Sequence, residues 1–86
     1  MDNDRTQELL PLDLLTTGEE ARIVDVTGDP SKIHQLAEIG LRQGCAVKMI
    51  RVGQPSLLAV DGRRLTIRLG SDVSVFVQPS VSSRAG

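Results

Sequence analysis

LAEIGLRQG, residues 36–44, joins the end of a helix to the start of a strand in one short run. Upstream, Asp29 stands where a helix N-cap is needed and Pro30 at the first helical position, where its missing N–H costs nothing. Ile33, Leu36, Ala37 and Gly40 then fall at i, i+3, i+4 and i+7, one face of a short helix. A helix of about three turns is held by packing rather than by propensity. Gly40 suits the left-handed C′ position, and Leu41 at C″ can fold back on Leu36 at C3, the contact of a Schellman stop. Gly44 follows a turn at Arg42-Gln43 and opens a strand. Leu36, Gly40, Leu41 and Gly44 are therefore read as a structural joint.

The strands flank this joint. Before it, Glu20–Thr27 carries Ala21, Ile23, Val24 and Val26, with the apolar parity switching between Ile23 and Val24. That switch fits a bulge or a strand covered on both faces. After it, Cys45–Val52 switches parity at Met49 and Ile50, where a bend would help a small barrel close. Gly53–Ser56 reads as a loop and Leu57–Val60 as a short third strand. Asp61-Gly62 predicts a type I′ hairpin. Arg63–Leu69 alternates, with Leu65, Ile67 and Leu69 on one side and Arg64, Thr66 and Arg68 on the other. Gly70-Ser71-Asp72 breaks that strand, as a short 3₁₀ turn, and Val73–Gln78 forms the last one, ended by Pro79. Leu9, Leu10, Leu12, Leu14 and Leu15 cluster around Pro11 as an extended lead-in or a single helical turn, followed by a turn at Thr16–Glu19. With no parallel βαβ spacing, the expectation is a mainly β fold. It is a small, partly open, five-stranded antiparallel barrel of the SH3-like kind, one short α-helix following the first strand. The domain spans 9–79, between polar, flexible tails at 1–8 and 80–86.

Composition narrows the function classes. A chain of 86 residues suggests one domain, which buries about 60–65% of its unfolded surface. Phe76 is the sole aromatic residue, so the core is aliphatic. Ten Lys and Arg against eleven Asp and Glu speak against a dedicated nucleic-acid binder. Cys45, the single cysteine, can form no internal disulfide. No apolar run approaches the ~20 residues of a membrane span, and the N-terminal MDNDRTQELL lacks an apolar signal core. A cytoplasmic protein without direct membrane insertion is expected.

Three stretches resemble one bacterial family, FeoA. PLDLLTTGEEARIVDV is similar to its leucine-rich opening before the first strand. LAEIGLRQGCAVKMIRV is similar to its central motif, a helix ending in Met/Leu-Gly-Leu, then x-x-Gly, then a strand. GRRLTIRLGSDVSVFVQP resembles its last hairpin and final valine strand. The resemblance covers Leu9–Pro79 and departs at Ile39, where Met is frequent, and at Gly70-Ser71-Asp72, where an Arg, Glu, Ala turn is usual. It implies an SH3-like, non-enzymatic accessory of bacterial ferrous iron transport. The implied partner is a FeoB-type membrane iron transporter carrying a cytoplasmic GTP-binding domain. It also implies an alternative, a stand-alone regulatory module akin to the C-terminal domain of iron-dependent repressors, binding peptide or transition metal.

The residues themselves offer little chemistry. His34 and Cys45 are the only histidine and cysteine, and a Cys nucleophile needs a base within hydrogen-bond reach. A metal site would have to draw on His34, Glu38 and Cys45, but His34 and Glu38, at i and i+4, read more simply as a solvated helix face. GxxxxGK[ST] is absent, so the chain is not the nucleotide-binding component. No catalytic residue, metal ligand or cofactor is expected. Arg51, Arg63, Arg64 and Arg68 remain, either as a solvated, edge-protecting face or as a partner surface. Phe76 breaks the parity of its strand and is expected to cap the core rather than to stay exposed as an anchor.

Overall fold

The computed structural model describes residues 9–80; the tail expected at 1–8 and residues 81–86 of the one expected at 80–86 lie outside the described residues, while the Ser80 N–H donates to the Glu20 carbonyl at 2.9 Å. The Leu36–Gly44 joint forms as its glycines and leucines dictate. Helix α1, Pro30–Glu38, begins under Asp29, whose carboxylate accepts the Lys32 N–H at 3.2 Å. It ends in a Schellman stop. The Gly40 N–H donates to the Ala37 carbonyl at 3.1 Å and the Leu41 N–H to the Leu36 carbonyl at 2.8 Å, with Gly40 at φ +102. Leu41 is thereby driven wholly into the core. The Gly44 N–H then donates to the Ile23 carbonyl and the Ile23 N–H to the Cys45 carbonyl, each at 2.8 Å, so the turn is stitched onto the preceding strand.

Around the joint runs one antiparallel sheet: β1 Leu10–Pro11, β2 Glu20–Gly28, β3 Ala46–Arg51, β4 Ser56–Val60, β5 Arg63–Ile67 and β6 Val73–Pro79. The spatial order is β1-β6-β2-β3-β4-β5, so the sheet curls without closing, with β1 and β5 at its ends. The mainly β, SH3-like architecture is the expected one, with a sixth strand added. Leu10 and Pro11 pair with Val77 and Phe76, and Leu12–Leu14 then makes a 3₁₀ turn. The lead-in is thus both extended and turned. A strand of two residues has no alternation to read, and Pro11, lacking an N–H, suits a sheet edge.

Both parity switches are bulges. Val24 is the extra residue between the pairs Ile23↔Val77 and Asp25↔Phe76, and Ile50 between Met49↔Leu58 and Arg51↔Leu57. The β4–β5 hairpin turns at Asp61-Gly62 with φ +56 and +79, the type I′ signature. In the loop before β4 the Gln54–Pro55 peptide is cis, and the buried Ser56 hydroxyl donates to the Gly53 carbonyl at 2.7 Å.

The inward faces meet in an aliphatic core. Leu12, Leu15, Ile23, Leu41, Met49, Leu58, Val60, Val75 and Val77 are fully buried. Phe76 is not among them: it is half-buried on the outer face of β6, opposite Pro11 and Asp25. Strand alternation places it there, between inward-facing Val75 and Val77, so it does not cap the core. The segment before β6 is a turn at Ser71–Asp72, pinned to the start of α1 by the Asp29 N–H donating to the Asp72 carbonyl at 2.8 Å. Asp29→Ala removes the cap while leaving that backbone bond. It is expected to cost about 1 kcal/mol, read as a drop of about 4–8 °C in the thermal midpoint.

Candidate functional site

Register assembles a basic face from residues far apart in sequence. On the outer side of the sheet, Lys48 of β3, Ala59 of β4 and Arg64 of β5 form one cross-strand row; Arg51, Leu57 and Thr66 form the next. The bulge at Ile50 puts Arg51 in that row, since strict alternation from Val47 and Met49 would turn residue 51 inward. All three cations are exposed, and Ala59 and Leu57 lie half-buried between them. Arg68 follows β5 at the parity of Arg64 and is exposed as well. Among the described residues, no carboxylate forms an ion pair with Lys48, Arg51, Arg64 or Arg68. The face is bounded on the β2 side by Glu20, which stands opposite Lys48 in the strand register.

Of the four arginines singled out in the sequence, three lie at or beside this face. Arg63 goes elsewhere: its guanidinium reaches the Ile39 carbonyl at 3.5 Å, meeting the last turn of α1, where a cation complements the helix dipole. Lys48 belongs to the face but not to the sequence reading. The signal that reveals it is the pairing of β3 with β4, which fixes Lys48 opposite Ala59.

The other candidates separate. His34 and Glu38 pair with each other at 3.0 Å on the exposed side of α1. Cys45, half-buried, packs against the core. Among the described residues, no three His, Cys, Asp or Glu side chains converge as metal ligands would. A surface cleft of about 330 Å³ lies between α1 and β2, floored by Val26, Ile33, Ala37 and Leu41. A second, also of about 330 Å³, runs beside Phe76, Pro11 and the exposed Leu14. Among the described residues, no helix is long and apolar enough to cross a membrane.

Comparison with known proteins accords with this architecture. Residues 10–79 match the family model described as the FeoA domain. A crystal structure of an iron uptake regulatory protein (FeoA) superposes with a TM-score of 0.77 at 23% identity, covering 85% of this chain and 100% of that one, a likeness of fold. The structure of T. acidophilum IdeR gives 0.75 at 26% identity over 84% of this chain, which spans only 34% of that protein. The solution structure of FeoA protein from Chlorobium tepidum gives 0.67 at 26% identity, covering 79% of this chain and 70% of that one. A search of curated proteins returns no match.

Proposed function

The chain belongs to the FeoA domain family, and from that premise we propose that it is a non-enzymatic, cytoplasmic accessory protein of bacterial ferrous iron transport. Its partner in this reading is the cytoplasmic GTP-binding domain of a FeoB-type transporter. The observation that carries the reading to a surface is the basic outer face. Lys48, Arg51 and Arg64 surround half-buried Leu57 and Ala59; among the described residues none of the three forms an ion pair with a carboxylate, and Glu20 stands across the register from Lys48 alone. Cations around an apolar centre make up the composition of a polar rim with a small apolar core. Arginines there steer an acidic partner and fix its register.

Titration of the transporter's cytoplasmic domain with this protein tests the reading. Saturable binding is expected, weakened about tenfold by the double reversal Arg51→Glu/Arg64→Glu, a loss of about 1.4 kcal/mol. Both positions are exposed, so the variant should unfold like the parent. Absence of binding at high micromolar concentration would sink the direct partnership.

The likeness to IdeR favours a second reading, a regulatory module that binds peptide or transition metal. Anaerobic titration with Fe(II) separates the two. A stoichiometric site lost in His34→Ala or Cys45→Ala supports the second reading and contradicts the first.

A further inference from the structure

We propose that the open edge of β5 captures an acidic, extended peptide segment, adding it to the sheet as a further strand. This deepens the accessory reading above and rests on it only for the identity of the protein that supplies the segment.

The hairpin geometry shows which backbone groups are free. A two-residue type I′ turn makes Val60↔Arg63 a hydrogen-bonded pair, so Leu58↔Leu65 and Ser56↔Ile67 are hydrogen-bonded too, while Ala59↔Arg64 and Leu57↔Thr66 are not. The N–H and C=O groups of Arg64 and Thr66 therefore point away from β4. On that side β5 has no strand partner among the described residues. An edge with unpaired donors and acceptors is a template for an added strand.

Side-chain charge chooses the occupant. Arg64 and Thr66 lie on the outer side of the edge, exposed Arg68 follows the end of β5 at the same parity, and Lys48 and Arg51 stand behind on β3. Three carboxylates lie near this surface. Asp13 lines a cleft with Ile67 and Leu69 at the far end of β5. Glu20 is on β2, three strands from β5 and so about 14 Å away. Asp61 sits in the hairpin turn. None of the three is at the outward positions of the edge. A second copy of this chain, pairing edge to edge, would bring two rows of arginine together, which disfavours it. A strand with carboxylates opposite Arg64 and Arg68 gains cross-strand ion pairs instead, and a β-branched residue opposite Thr66 fits the pleat. Same-face side chains recur every second residue, so the matching pattern is acid-x-(Val/Thr)-x-acid. Nucleic acid answers the charge but not the free backbone groups, and the sole aromatic, Phe76, lies on β6, so no ring at the edge can stack bases.

The test is fluorescence anisotropy with a labelled seven-residue peptide carrying Glu at its second and sixth positions and Val at its fourth. Saturable binding is expected at up to about 1 mM peptide, the weak end of specific association. Arg64→Glu should weaken it at least tenfold. So should N-methylation of the peptide's alternate amides, which removes main-chain donors without touching the protein. Thr66→Pro deletes an outward N–H while sparing the bonds to β4 and should do the same, with an unchanged circular dichroism spectrum as its control. The edge site is overturned if the peptide fails to bind, if a Lys-for-Glu peptide binds as well, or if N-methylation changes nothing. Equal competition by single-stranded DNA of the same charge also overturns it, since charge alone would then account for binding. The two proposals fail separately: a FeoB-type domain that binds while the peptide does not removes the edge site alone, and peptide capture without binding of that domain removes the partner alone.

Discussion

Gly28→Ala is expected to destabilise the protein by about 3–4 kcal/mol. Gly28 ends β2 at φ +125, where a side chain costs roughly 1–2 kcal/mol. A Cβ there would also fall 2.7 Å from the Val73 Cα and closer still to the Asp72 carbonyl oxygen. Both neighbours are backbone, so neither can rotate aside, and overpacking of this kind adds roughly 1–3 kcal/mol. The crowding arises because Gly28 pairs with Val73 while the next residue, Asp29, donates its N–H to Asp72. A domain of this size has only about 4–13 kcal/mol to lose. The midpoint of thermal unfolding should fall by more than about 12 °C. Gly18→Ala is the matched comparison. Gly18 also has positive φ, +88, yet nothing lies within 4 Å of the added carbon, so only the conformational cost of about 1–2 kcal/mol remains. Equal losses in the two variants would show that the contact with Asp72 and Val73 is unimportant.

Leu41→Ala should cost about 3 kcal/mol, within the usual range of about 2–5 for a buried leucine. Leu41 has no exposed surface and sits in the cluster with Val60, Met49 and Ile23. The Schellman bonds use main-chain atoms and survive the substitution, so the helix stop persists while its attachment to the barrel loosens. Urea unfolding should show a lower midpoint with an unchanged slope. Leu14→Ala, at a leucine 63% exposed, should change the unfolding free energy by less than about 0.5 kcal/mol. A Leu41→Ala effect as small as that would mean the joint is not anchored through its leucine.

Features governed by neighbouring residues were legible in the sequence. Asp29 and Pro30 start the helix, Gly40 and Leu41 stop it, Asp61-Gly62 turns the hairpin, and each paired parity switch marks a bulge. The caps and the turn depend on contacts a few residues apart, and the bulges, though made by strand pairing, show as breaks in the local apolar alternation. What escaped the reading depends on strand neighbours. β1 exists only because β6 returns beside it from the far end of the chain. Lys48 joins Arg51 and Arg64 only through the β3–β4 and β4–β5 registers. Arg63 leaves them because the end of α1 lies within its reach. Phe76 broke the pattern of its strand by facing outward, a choice that its hydrophobicity alone argued against. The candidate surface was thus half visible: its arginines stood out by type, but their grouping is a property of the sheet.

The two bulges bear on how this chain can vary in length. Within a regular strand, deletion of one residue inverts every side chain on one flank, driving charges inward. Val24 and Ile50 are exceptions, because each is supernumerary to the pairing. With Val24 gone, Ile23 and Val26 would still face the core and Asp25 the solvent. With Ile50 gone, Met49 would stay inside and Arg51 outside. What would disappear is the local coiling that each surplus residue imposes. A relative shortened by one residue at either point could keep the same inside and outside while holding its strands flatter, so an insertion or deletion there changes curvature and leaves the arrangement of faces intact.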